Sequence, residues 1–508
     1  MAAGQHGQAG GAPVAAETPH PPLDDEGGSG HSLGTRTIRS MFWAYGSYVG
    51  GRILVLASVA VLARLLAPRE FGLVALALTF TALLETIKDF GLGQALIVSK
   101  GEDLDERANT VFWYGMLIGV GGCLVIVSIA PLVAAFYDEP EVLAIVAVLA
   151  LNFPLKAAGA THEALIQKRM NFRGQTLAQL TSVLLRGGVG VVLALMGFGA
   201  WSLVVGYLLG TLVQTVAFWL LVPWRPRLRF TNRHSRELFT FGGILTGVDV
   251  LHGIWASLDV LIIGRVLGAT ALGLYSIGTR LPQLIIINLS VVAAQVLFPA
   301  FTKVDADRLK EVFLTSLRFT LIIGAPLAVG LAAMAEPIIV ALFGDQWVGA
   351  VGAMQMLCLY AVLLTVEIPG GTIFKVTGRA SILLKLAIPR TILLFIALLL
   401  FAENGLVAVA ACIAGVSAVF AVLALILASR AAGTGLGQLV TASWAPIVAA
   451  LGAGVAILGV SQVVDGDWPT IIAGTAAGGV VYIALMWLVA RDSLVYILGK
   501  AMPRFARA

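Results

Sequence analysis

"ARLLAPREFGLVALA" occupies residues 63–77, and "GRVLGATALGLYSIG" occupies residues 264–278. Set side by side, Arg64 falls on Arg265, Leu66 on Leu267, Gly72 on Gly273 and Leu73 on Leu274, always 201 residues apart. Each copy is a short break between two apolar runs, so each reads as a corner joining two helices. The rest of the chain is the same material. Hydrophobic residues make up 59% of the 508 and charged residues only 12%, with a mean hydropathy of +0.94. A soluble domain carries about 25% charged residues, so this composition excludes one and defines a membrane protein.

Apolar runs follow one another from residue 42, each near the roughly 20 residues a spanning helix needs. About fourteen are expected, near 42–65, 71–98, 109–136, 142–166, 175–196, 200–222, 239–264, 271–300, 311–334, 349–374, 380–401, 405–429, 439–463 and 468–490. Charge placement orients them, because Lys and Arg collect in cytoplasmic loops. With the N-terminus inside, the inside segments hold Arg36 and Arg39, Lys168, Arg169 and Arg173, the run Arg225 to Arg236, Lys375 and Arg379, and the C-terminal Arg504 and Arg507. The outside loops hold Arg64, Arg69 and Arg265 and are acidic elsewhere, as in "YDEPE" at Tyr137 and "DGDWP" at Asp465. Both termini are therefore expected in the cytoplasm.

The two echoing corners join helices 1 to 2 and 7 to 8. An even number of spans separates them, so both copies point the same way, and Gln94 and Gln295 keep the same register. The expected fold is an all-α polytopic membrane protein of about fourteen transmembrane helices: two six-helix lobes in parallel pseudo-repeat plus two C-terminal helices, an architecture typical of secondary transporters. The divisions read from the sequence are a disordered cytoplasmic tail at 1–34, an N-lobe at 35–222, a basic cytoplasmic linker at 223–238, a C-lobe at 239–430, the final helices at 431–490 and a basic tail at 491–508. The first tail is rich in Gly, Ala and Pro, has no apolar stretch to fold around and lacks the apolar region of a signal peptide.

Little in the chain suggests an enzyme. There is no phosphate-binding G-x-x-x-x-G-K-[ST] loop. "HEALI" at His162 starts like a zinc-protease motif but has Ile166 in place of the second His, and "DAD" at Asp305 and "DGD" at Asp465 read as solvated turns. Gly115/Gly119, Gly206/Gly210, Gly243/Gly247 and Gly474/Gly478 are small-residue pairs suited to helix packing. Cys123, Cys358 and Cys412 lie in apolar runs without metal-ligand spacing and are expected to be buried thiols. No cofactor and no metal are expected.

The ionisable residues inside the spans carry the function. Each costs about 2.5–3.5 kcal/mol on insertion scales, so it normally faces a wet cavity or a partner. Eight cations qualify: Arg52, Lys88, Lys156, Arg186, Arg280, Arg318, Lys385 and Arg390. Only Lys88 has a carboxylate nearby in sequence, from Glu85 and Asp89. The others must meet carboxylates on other helices or an anion that comes and goes, and Arg forks suit a pyrophosphate. Arg52, Lys88, Arg186, Arg280, Lys385 and Arg390 are the candidates for substrate binding, while Lys156 and Arg318 are assigned to interhelical pairs or snorkelled ends. In helix 7, Asp249, His252 and Asp259 fall within an arc of about 80°. They are candidates for ion coupling or, equally, for neutralising the cavity cations, and Glu367 beside Pro369 is a weaker candidate of the same kind.

"RLLAPREFGLVALA" at Arg64, "FGLGQALI" at Phe90, "ALIQKRMNFR" at Ala164, "VLFPAFTKVDADRLKE" at Val296 and "EPIIVALFGDQWVGA" at Glu336 appear in order. Together they resemble the Wzx-type polysaccharide-biosynthesis flippases, in the superfamily that also holds multidrug exporters and the lipid II flippase. The resemblance implies an inner-membrane transporter that turns a polyprenyl-pyrophosphate-linked oligosaccharide to the outer leaflet, driven by an ion gradient. It further implies a lipid-linked glycan as ligand, a polysaccharide polymerase and other assembly proteins as partners, no nucleic acid and a functional monomer. Two other readings are a cation-coupled multidrug exporter, whose cavity would be dominated by acids and aromatics, and a membrane glycan polymerase, which would need a longer outer loop than any here.

Overall fold

The repeated glycines lie where two helices cross. The computed structural model describes residues 50–88, 92–98, 104–227, 253, 257–287, 306–379 and 381–501, without the side chains of 83–88, 306–308 and 490–501. All regular structure among them is helical. The first half consists of α1 (50–65), α2 (Pro68–Lys88), α3 (Leu92–Val98), α4 (Leu104–Tyr137), α5 (Pro140–Leu149), α6 (Asn152–Lys168), α7 (Phe172–Leu195) and α8 (Ala200–Leu221). The second half consists of α9 (257–266), α10 (Gly268–Leu281), α11 (Ala306–Ala333), α12 (Ala335–Phe343), α13 (Val351–Val376), α14 (Ser381–Phe401) and α15 (Leu406–Ala431). The final pair is α16 (Leu436–Ser461) and α17 (Asp467–Ala501).

Ten segments among the described residues are long and apolar enough to cross a membrane. They coincide with ten of the expected spans, and the chain is a multi-pass membrane protein. The other four expected spans, near 42–65, 71–98, 239–264 and 271–300, each include residues outside the described set. Two expected spans differ in detail from single α-helices. The run at 142–166 is α5 and α6 in series, tightened between them by the i−3 bonds Leu151 N–H to Val148 O and Phe153 N–H to Ala150 O. The run from 271 is α-helical only to Leu281 and continues as a π-helix over Pro282–Ile287, where Pro282 has no N–H to extend the α ladder.

The sequence repeat becomes a contact at the crossing of α2 and α10. A methyl group on Gly72 would overlap the carbonyl of Ala269, and one on Gly273 would overlap the carbonyl of Pro68. Pro68 and Ala269 occupy the same place in the two copies, so the two overlaps are one contact made twice about a local two-fold axis. The copied arginines also reach across. Arg64 donates to the carbonyls of Ala341 and Leu342 at the end of α12, and the Arg265 guanidinium lies 5.6 Å from the ring centre of Phe136 at the end of α4.

The "GDQW" turn between α12 and α13 completes this seam. The last carbonyls of a helix lack intrahelical partners, and those of α1 are met from the other half. Trp347 Nε1 donates to Ala63 O at 2.8 Å, and Gln346 Nε2 donates to Ala63 O and Leu66 O. Trp347 is fully buried, with the Phe71 ring edge-on at 5.2 Å. Within the first half, Glu70 accepts from the Ala67 N–H at 2.7 Å to start α2, and Arg69 pairs with Glu139 and Glu141 at 2.6 and 3.1 Å.

Away from the seam, α16 and α17 pack on α11. Tyr482 donates to Ile322 O at 2.8 Å, and Gly474 and Gly478 lie against Ile457 as a small-residue pair should. The tail at 1–34 lies outside the described residues, and the linker is described only to Arg227. Its first residues are pinned. Trp113 Nε1 donates to Arg227 O at 2.9 Å, and Arg225 donates to the carbonyls of Trp219, Val222 and Trp224. His162, the residue of the aborted zinc motif, is fully buried and stacked on Trp219 at 4.5 Å. Of the three cysteines only Cys358 is buried. Cys123 and Cys412 are half-buried, because α4 and α15 each turn one apolar face away from the protein core.

Candidate binding cavities

The candidate residues divide between two cavities. The first, about 560 Å³, lies within the first half between α1, α6, α7 and α8. Arg52 enters from α1, Lys156 from α6 and Arg186 from α7, and among the described residues no carboxylate lines it. Lys156, read from the sequence as an interhelical partner or a snorkelled end, lines this cavity too. Amides and hydroxyls supply the remaining polarity, from Gln175, Thr176, Gln179, Ser182, Thr211 and Gln214. The α7 helix starts at a side-chain cap, where Asn171 Oδ1 accepts from Gly174 N–H at 3.1 Å. Gly206 and Gly210 let α8 lie directly on α7, since methyl groups there would press on Arg186 and Ser182. That close approach lays the Arg186 guanidinium over the Tyr207 ring at 4.3 Å, a cation–π contact that leaves the fork's edge available.

The second cavity, about 660 Å³, lies between the halves, with Thr79 of α2 facing α9, α10, α13, α14 and α15. Asp259 is held here by the Tyr275 hydroxyl and by the Val260 N–H at 2.8 Å. Arg280 is exposed to the cavity, and among the described residues no carboxylate pairs with it or with Arg186. Arg186 thus belongs to the first cavity and Arg280 to the second. Arg390 differs. It has no carboxylate on its own helix, yet Glu367 of α13 meets it at 2.8 Å and Ser417 of α15 accepts from it at 2.9 Å. Two candidates from separate lists, one for substrate and one for ion coupling, thus form a single ion pair.

A proline stands within two residues of three of the charges in the second half: Pro282 after Arg280, Pro369 after Glu367 and Pro389 before Arg390. Proline removes a helical hydrogen bond and crowds the preceding turn, which loosens the backbone where these charges sit. Lys385 is exposed on α14 and lines neither cavity. The side chain of Lys88 is not described, and Asp249 and His252 lie outside the described residues. The sequence reading missed Tyr207, Tyr275, Tyr360 and the three glutamines. A search of the spans for polar as well as charged residues would have found the glutamines, but the tyrosines carry no such signal.

The fold and its paired cavities define a membrane transporter architecture, and sequence comparison identifies the family. The profile of the polysaccharide biosynthesis protein family matches residues 61–352, and the chain belongs to that family. It is 31% identical over 369 residues to the succinoglycan biosynthesis transport protein ExoT of Rhizobium meliloti (strain 1021), covering 71% of this chain and 74% of that one. It is 27% identical over 366 residues to the lipopolysaccharide biosynthesis protein WzxC of Escherichia coli (strain K12), again covering 71% and 74%. Among solved structures the fold matches the lipid II flippase MurJ in an inward closed conformation. The TM-score is 0.74 at 13% identity, over 89% of this chain and all of that one. A multidrug resistance MATE family transporter in an inward-facing conformation matches with a TM-score of 0.60 at 16% identity, over 76% of this chain and 96% of that one.

Proposed function

We propose that this protein is a flippase that moves a polyprenyl-pyrophosphate-linked oligosaccharide across the inner membrane for cell-surface polysaccharide or lipopolysaccharide assembly. The observation that carries the reading is the placement of Arg186 in the cavity of the first half and Arg280 in the cavity between the halves, with no carboxylate among the described residues paired with either. A diphosphate is the anion an Arg pair fits best. Residues 35–222 and 239–430 are the moving lobes in this reading, and binding on one face followed by release on the other requires the seam to open and close. The protein acts as a monomer that hands its cargo to a polymerase and other assembly proteins, and is not itself an enzyme. Coupling falls to the helix-7 stripe, where Asp259 and its Tyr275 partner line the cavity between the lobes; Asp249 and His252 belong to the same stripe.

Export of lipid-linked glycan in cells with matched protein levels tests these assignments. Hydrogen bonds to charged groups are worth about 1.5–3 kcal/mol, and tenfold is about 1.4 kcal/mol. Arg186→Ala and Arg280→Ala should therefore each cut export at least about tenfold, with the Lys variants in between. Asp259→Asn should flatten the response of export to the ion gradient. Full export by both Ala variants would remove the two arginines from the site. The competing reading, a multidrug exporter, is favoured by Asp259, Tyr275 and Tyr360 in the lining of the second cavity, and loss of resistance to organic cations with intact glycan export would establish it.

We infer that the seam end of the bundle faces outward, since Arg64, Arg69 and Arg265 sit in otherwise acidic loops there while the basic linker is at the opposite end. In a variant with Cys123, Cys358 and Cys412 replaced, single cysteines at Glu139 and Asp467 should react with an impermeant thiol reagent in intact cells. One at Arg229 should not, and labelling there from outside would reverse the orientation.

A further inference from the structure

The first cavity holds a row of amides that the arginines do not account for. Gln175, Gln179, Ser182 and Arg186 follow one another at i, i+4, i+7 and i+11 on α7, within an arc of about 60° and over about 16 Å of helix. The neighbouring α8 runs antiparallel. Ser182 Oγ donates to Gly210 O at 2.7 Å and Gly206 lies on Arg186 O, a register that brings Gln214 opposite Gln179. Gln175 donates to Glu163 at 3.1 Å, whereas the amides of Gln179 and Gln214 bond to nothing among the described residues. Both helices are apolar spans, and a polar group at that depth is costly unless it meets water or a ligand.

We propose that Gln179 and Gln214 form a carbohydrate subsite that reads the hydroxyls of an uncharged pyranose next to the diphosphate. A primary amide offers two donors and an acceptor on one plane, which matches adjacent sugar hydroxyls that each give and take a hydrogen bond. Seven residues of α7, about 10 Å, separate Gln179 from Arg186, so the ring lies toward the linker end while the anion sits mid-span. The ring of Phe172 at the start of α7 supplies an apolar surface at that end. The subsite rests on the flippase reading and adds to it a direct contact with the glycan rather than with its lipid carrier.

Short-chain prenyl diphosphates, bare or bearing glucose, galactose or N-acetylglucosamine, can be titrated into the purified full chain in detergent. At least one sugar should tighten binding roughly tenfold over the bare compound, the worth of one to two net hydrogen bonds. In Gln179→Leu and Gln214→Leu that ratio should fall toward one. Gln179→Met serves as a second variant if leucine disturbs packing. Arg186→Ala should weaken the bare and glycosylated compounds alike and keep the ratio. A ratio that survives the glutamine variants, or no gain from any sugar in the parent protein, overturns the subsite and leaves the flippase reading standing. Failure of the parent protein to bind any prenyl diphosphate overturns both.

Discussion

Gly72→Val and Gly273→Val should each abolish most glycan export, and Gly115→Val should not. At the first two positions a new Cβ would collide with backbone carbonyls of the opposite half, Ala269 and Pro68, which cannot swing aside as a side chain would. Gly115 has nothing within 4 Å of the added atom. Overpacking costs about 1–3 kcal/mol, and here the cost falls only on the conformation with the seam closed. That shifts the balance between closed and open forms by about fivefold to more than a hundredfold. The protein should still accumulate in the membrane, because each half also has a core cluster of its own, around Leu96 and Leu165 in the first and Phe313 and Phe374 in the second. A cysteine in place of Trp347, buried in the closed seam, should then become reactive from outside in the glycine variants. Normal export by both valine variants would show that the α2–α10 crossing need not close during transport.

A second large effect is expected at Arg390, and here it is stability that falls. The guanidinium is 8% exposed and its carboxylate partner is on a different helix. Removing one member of a buried pair leaves the other charge uncompensated, at a cost of about 3–5 kcal/mol. Arg390→Ala should lower the thermal midpoint of the detergent-solubilised protein and reduce its level in the membrane. An unpaired arginine would have given the opposite expectation, since its loss would relieve a cost. The double variant Glu367→Gln, Arg390→Gln removes both charges and should recover much of the stability. If export returns with it, the pair is structural. If the protein is stable but inactive, the pair takes part in transport. An unchanged midpoint in Arg390→Ala would show that the pair contributes nothing to the fold.

Apolar run length marked the spans, because a bilayer dictates that length whatever the helix packs against. The repeat also showed in the sequence, since Gly72 and Gly273 are confined by backbone atoms and admit nothing larger. What the sequence concealed is pairing across helices. Arg390 and Glu367 are 23 residues apart, and no spacing rule links them. That Lys156 of α6 lines a cavity with residues of α1, α7 and α8 is likewise set by how helices pack and not by any spacing within its own span. Gln179 and Gln214 attracted no notice among charges, although an uncommitted amide in an apolar span is as exacting a requirement as a charge.

The crossing of α2 with α10 has the form of a homodimer interface closed within one chain. Each surface is complementary to its own copy, as in any isologous contact. In a true dimer one gene would specify both sides, so every change would be made twice. Two halves written separately in one chain are free of that restriction, and their arginines show the result: Arg64 grips carbonyl oxygens where Arg265 rests on an aromatic ring. The polar groups are distributed unequally as well: Arg52, Lys156, Arg186 and three glutamines line the cavity within the first half, while Asp259 lines the one between the halves together with Arg280 and Arg390. The symmetry is thus kept where the two halves mate and dropped away from that contact.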